Sequence, residues 1–143
     1  MRIPPLRKFL SLPGNEQQIL VNALFLLIIV RLGLWLLPFR TLQLMLERLL
    51  RAPVGYNKQS PSPEKVSWAV SAVSRYVPAA TCLTQALTLQ ALLSRGGIHS
   101  ALSIGVARDD TSRLIAHAWL EVDGAIVIGG QDRDRYTRLK RQE

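Results

Sequence analysis

Residues 114–128 read Leu-Ile-Ala-His-Ala-Trp-Leu-Glu-Val-Asp-Gly-Ala-Ile-Val-Ile. Two apolar runs flank Asp123-Gly124, the dipeptide that favours a two-residue hairpin turn. The pattern predicts strands over Leu114–Val122 and Ala125–Ile128, with Val122 opposite Ala125 and His117 opposite Gly130. Alternation along the first strand puts His117, Trp119 and Glu121 on one face. Trp119 suits a core, or a screen that keeps water from a polar pair beside it. Glu121 lies two residues along the strand from the imidazole, which gives it a structural role.

Working back from the hairpin, Ile98 to Val106 alternates well enough for another strand, and Arg108-Asp109-Asp110 supplies the polar turn between the two. Before it, Leu83, Ala86, Leu87, Gln90 and Ala91 recur at helical spacing. Thr81 is placed to cap that helix, and Arg95-Gly96-Gly97 to close it. Cys82 therefore falls in the first turn. Ser62-Pro63-Glu64 opens an earlier helix that carries Val66, Trp68, Ala69, Val70 and Val73 to about Tyr76, where Pro78 ends it. Helices followed by an antiparallel sheet give an α+β class.

Cys82 is the only cysteine, and His117 follows it by thirty-five residues. A thiol at a helix N-terminus meets the positive end of the backbone dipole, a setting that suits a nucleophilic thiolate. A histidine brought beside it by the fold can take the thiol proton and later return it to a leaving group. A lone cysteine is also a common core residue, and a strand histidine can be purely structural. A third group orienting the imidazole belongs on the return strand near Gly129, where the sequence offers two glycines and then Gln131 and Asp132. His99, just past a helix end, reads as a surface residue. With one cysteine and two histidines, the chain calls for no metal and no cofactor.

The 143 residues suit one domain with a core, 48% of them being hydrophobic. A single cysteine excludes an intrachain disulfide and fits a reducing compartment. The net charge of +8 gathers in Arg2, Arg7 and Lys8 at one end and in Arg133, Arg135, Arg138, Lys140 and Arg141 at the other. These read as solvated termini, and no aromatic motif interleaves them, so nucleic-acid binding is not expected. Ile19 to Leu37 is nearly long enough to cross a bilayer, yet Asn22 and Arg31 interrupt it and no secretory cleavage site follows. Pro38 breaks the helix, and Phe39 to Arg51 continues as an amphipathic one bearing Leu42, Met45, Leu46, Leu49 and Leu50. Three readings stay open for this arm: a helical hairpin on a partner protein, a membrane-surface anchor, or a true span. Leu42, Met45 and Leu49 are the expected contacts to a partner. The division predicted is an apolar helical arm over 1–52, a linker rich in Pro, Gly, Asn, Gln and Ser over 53–63, and a core over 64–143.

Several blocks together resemble a known family. They are Cys82-Leu83 with Ala86-Leu87, Leu92 through Ile98, Ile104-Gly105-Val106, and Ala116 through Gly124. In this order they are similar to the lasso-peptide biosynthesis B protein, the leader peptidase of microcin-type processing, in its stand-alone form. That family sits within the transglutaminase-like cysteine-protease superfamily, and the likeness covers Glu64 to about Gly130. It implies a transglutaminase-like, papain-like core in a bacterial cytoplasmic protein, and the apolar run itself makes residues 19–37 the candidate membrane-associated element. The implied activity is removal of the leader from a ribosomally made lasso-peptide precursor. The implied partners are that precursor, a separate leader-recognition protein, and an ATP-dependent macrolactam cyclase. Carried onto this chain, Cys82 is the nucleophile and His117 the general base. The family's usual aspartate falls at Gly129 or Gly130, which leaves Gln131, Asp132 or a backbone carbonyl to orient His117. Asp132 is preferred, because a carboxylate stabilises imidazolium better than an amide. The competing class is a non-enzymatic membrane-associated or scaffold protein of a peptide-maturation complex.

Overall fold

Strands β2 (Leu114–Val122) and β3 (Ala125–Ile128) meet across Asp123 and Gly124, whose φ angles of 50° and 82° give the turn that the dipeptide predicts. The structure, a computed structural model, describes residues 10–50, 61–77, 81–130 and 135–142. Val122 pairs with Ala125 and Glu121 with Ile126, but Leu120 faces Ile128. Val127 is thus an extra residue on β3, a bulge. The expected pairing of His117 with Gly130 does not form, because the bulge shifts the register and the ladder ends at Leu120. The cause lies partly in the helix above: the Ser67 hydroxyl donates to the Val127 carbonyl.

Strand β1 (Ala101–Arg108) pairs with β2 along its whole length, from Ala101 opposite Glu121 to Arg108 opposite Leu114. It begins three residues later than the alternation from Ile98 suggests. On its other side lies β4 (Thr137–Gln142), which gives the antiparallel order β3-β2-β1-β4. The C-terminal basic cluster is therefore in part an edge strand, not only a solvated tail. Its Thr-Arg-Leu-Lys-Arg-Gln run has a single apolar residue. Charged residues of this kind protect a sheet edge from foreign strands, and they also hide the strand from a hydrophobic-pattern reading.

Four helices lie among the described residues: α1 (Gly14–Leu36), α2 (Phe39–Leu50), α3 (Pro63–Ser74) and α4 (Cys82–Arg95); α3 and α4 lie on the sheet, α1 packs on both of them, and α2 packs on α4. The starts of the last two follow from local chemistry. Ser62 accepts the Lys65 N–H ahead of Pro63, and Thr81 accepts the Thr84 N–H at 3.3 Å. Leu37 is extended, as a residue before proline must be, and so separates α1 from α2.

One continuous core joins all of this. Leu20, Ala23, Leu27 and Val30 of α1 pack with Val66, Ala69, Val70 and Val73 of α3, and with Ala86, Leu87, Leu89 and Leu93 of α4. Leu102, Ala118 and Leu120 present the sheet to that layer. Each such Leu or Val contributes about 1.5–3 kcal/mol by leaving water. Leu42 belongs to this core as well, lying against Gly33, so it is not the docking residue that the amphipathic pattern suggested. Met45 is exposed, and the side chain of Leu49 lies outside the described residues. Trp68 faces solvent, while its neighbours on α3 carry the packing. The linker expected over 53–63 falls mostly on residues 51–60, which are outside the described part.

Candidate active site

Cys82 is the first residue of α4, held there by the Thr81 cap. Thr84 is locked in turn: its hydroxyl meets that of Thr81 at 3.1 Å, and its carbonyl accepts the Thr88 hydroxyl at 2.7 Å. The thiol is half-buried, and the Ala118 N–H donates to its Sγ at 3.4 Å. Ala118 lies just beyond the last β2–β3 pair. There β3 has left the edge, and Sγ takes the place of a strand partner for that N–H. The helix start is thereby pinned to the residue next to His117.

The His117 ring is held from the other side. Its Nε2 lies 2.6 Å from the Gly129 carbonyl oxygen. A carbonyl only accepts, so Nε2 is the donor, and in the neutral ring this leaves the lone pair on Nδ1, the state a general base requires. Gly129 can present this carbonyl because its φ is +76°, a region that side chains disfavour. A Cβ there would also collide with the Ala118 carbonyl oxygen and come within 3.0 Å of Trp119 Cα.

Cys82 and His117 line one cleft of about 650 Å³. Ser67 and Ser71 of α3, Gln85 of α4 and the segment from Ile126 to Gly130 form the rest of its wall. That size admits a short peptide segment. A second groove, of about 390 Å³, lies between α2 and α4, and His99 is on its rim.

The far side of His117 carries aromatic rings. Tyr136 lies 5.0 Å away between centroids, with the planes 29° apart. Trp119 lies at 6.3 Å and is wholly buried. Glu121, also buried, accepts the Trp119 indole N–H at 3.2 Å and Arg138 Nη2 at 2.9 Å. The Arg138 guanidinium in turn sits 5.4 Å from the Trp119 ring centroid. The carboxylate nearest in sequence to His117 is thus committed to its own structural network.

The structure brings Cys82 and His117 to one cleft. Asp132 and Gln131 lie outside the described residues. Sequence reasoning did not single out Ser67, Ser71, Gln85 or Tyr136. Three of these had a signal: Ser67 and Ser71 break the apolar face of α3 four residues apart, and Gln85 follows Cys82 by three on the same helical face. Tyr136 had none, sitting among charges at the head of an unrecognised strand.

No match emerged among curated proteins or among solved structures. The family described as the transglutaminase-like superfamily matches residues 26–141, a span that runs from the middle of α1 into β4 and includes both Cys82 and His117. A helix-start cysteine, a strand histidine and a match over most of the sequence converge: the chain belongs to the transglutaminase-like superfamily.

Proposed function

We propose that this protein is a cysteine peptidase that removes the leader from a ribosomally synthesised lasso-peptide precursor. The observation that carries the reading is the shared cleft of Cys82 and His117, with Nε2 bonded to Gly129 and Nδ1 left to act as base. The ordered sequence blocks that resemble the lasso-peptide B protein support the substrate class.

The chemistry runs in two halves. As Sγ attacks the scissile carbonyl carbon, the thiol proton passes to His117 Nδ1, and the carbonyl oxygen becomes an oxyanion within reach of the Cys82 backbone N–H. Collapse breaks the C–N bond, and His117 gives its proton to the departing amine, which is the new N-terminus of the core peptide. The leader stays on Sγ as a thioester. Water, deprotonated by His117, then attacks the thioester carbon. The C–S bond breaks, the thiol is restored, and the leader leaves with a free carboxylate. Delivery by a separate recognition protein precedes this step, and macrolactam closure by an ATP-dependent cyclase uses the amine it exposes.

The second reading, a membrane-associated scaffold, draws on α1. By length and composition α1 could cross a membrane, and while one stripe is in the core, Phe25 and Trp35 are 67% and 75% exposed. Alkylation by iodoacetamide at neutral pH separates the two readings. An enzyme thiol labels fast and loses that speed in His117→Ala, whereas a packing thiol labels slowly in both. Cys82→Ala is expected to abolish precursor cleavage while circular dichroism and melting temperature hold. Full cleavage by a folded Cys82→Ala protein would sink the proposal.

A further inference from the structure

Among the described residues, one hydrogen bond holds the His117 ring in its plane and no carboxylate is bonded to it. A single in-plane contact fixes where Nε2 points but lets the ring rock about that contact. What blocks rocking must lie against the ring face, and Tyr136 is there, at 5.0 Å and 29°. Its access is built into the sheet. Gly105 pairs with His117 on the neighbouring strand, and a Cβ at that position would lie 2.8 Å from Tyr136 Cβ and 3.0 Å from the Trp119 ring. The missing side chain opens a slot through which the tyrosine crosses β1 to reach the histidine.

The surrounding charges point to the same ring. From α4, Cys82 and Gln85 line the cleft with His117; from α3, Ser67 and Ser71; from the end of β3, only apolar residues and glycine. Glu121 of β2 and Arg138 of β4 are paired with each other, and Arg138 already occupies the Trp119 ring. Asp132, Arg133 and Asp134 are outside the described residues. When His117 takes the thiol proton, the π face within reach of the new cation is that of Tyr136, inside the roughly 6 Å limit for such an interaction.

We propose that Tyr136 is the positioning residue of His117, clamping the imidazole face-on and stabilising its protonated form. The proposal rests on the Cys82–His117 reading above, so its test includes readouts that need no substrate. Tyr136→Leu and Tyr136→Phe are compared in the full-length protein. The leucine variant is expected to lose about tenfold in kcat on the precursor with KM little changed, the scale of one desolvated cation–π contact. Phenylalanine, which keeps the ring, is expected to restore most of it. In the resting protein, ¹⁵N NMR of the His117 ring is expected to show the Nε2–H tautomer in wild type and Tyr136→Phe, and a mixture in Tyr136→Leu. Iodoacetamide labelling of Cys82 should slow in the same order. If the leucine variant does not fold, Gly105→Ala, which closes the slot, is expected to give the same losses. A leucine variant equal to phenylalanine in kcat, tautomer and labelling overturns the proposal. So does collapse of activity in Asp132→Ala with Tyr136→Leu unaffected. Failure of wild type to cleave any precursor, with the tautomer and labelling pattern intact, overturns the peptidase reading and leaves the clamp standing.

Discussion

At Gly129 a side chain is excluded twice, by a φ of +76° and by the Ala118 carbonyl against which any Cβ would press. The reward is a carbonyl 2.6 Å from His117 Nε2. Gly129→Ala is therefore expected to cost activity through orientation of the base. With a cleavage assay, kcat should fall at least about tenfold, part of the roughly 100- to 10,000-fold that general acid–base catalysis contributes. Gly129→Asp should fail equally despite supplying a carboxylate beside His117, because the strained backbone cannot carry it. Wild-type turnover in Gly129→Ala would remove the carbonyl from the mechanism. At this scale the sequence was informative about residue types and less so about partners. Cys82 and His117 stood out from helix-start and strand signals, which are local. A backbone carbonyl was one of the candidates for orienting His117, but that Gly129 supplies it was not readable, because the bond depends on a bulge at Val127 that Ser67, sixty residues away in the chain, helps to hold.

Among the elements, hairpins and capped helices followed their own residues closely. The Asp123-Gly124 turn, the Thr81 cap and the Ser62-Pro63 start are each decided within four residues, and each element began where those residues placed it. Strand β4 escaped because its stability comes from pairing with β1 rather than from its own composition. The β1–β2 loop shows how far local chemistry reaches. Asp109 Oδ1 accepts the Thr111 hydroxyl at 2.7 Å and the N–H groups of Thr111 and Arg113 at 2.9 Å each. These bonds, the Thr111 hydroxyl first and the Arg113 N–H next, hold the Asp109 carboxyl below its ordinary value. A lowered folded value means that the ionised form supports the loop above the ordinary carboxylate range, and that this support is lost as pH falls through the lowered value. The Thr111 and Arg113 amide shifts should follow that titration, and Asp109→Ala should abolish it. Amide shifts that stay flat down to the acid limit of the folded state would contradict this account of the loop.

For the whole molecule, α1 decides how the chain is to be viewed. As sequence it read as an arm outside the core. In the structure Leu20, Ala23, Leu27 and Val30 are buried with α3 and α4, and the superfamily match begins inside it at residue 26. Periodicity could not reveal this, since α1 is apolar almost all round and has no polar face to mark which side turns inward. Its second apolar face, with Phe25 and Trp35, remains outside the core. The assembled core sets α4 against β2 so that a thiol at one helix start and an imidazole on one strand open into the same cleft, and the central claim is that the thiol carries the leader there. Acid-quenched intact mass spectrometry of the protein mixed with its precursor and recognition partner reads that claim directly. An adduct of the leader mass less one water is expected on Cys82 within the first turnover, absent from Cys82→Ala. Cleaved precursor with no adduct at any time, and the same cleavage by Cys82→Ala, would contradict it.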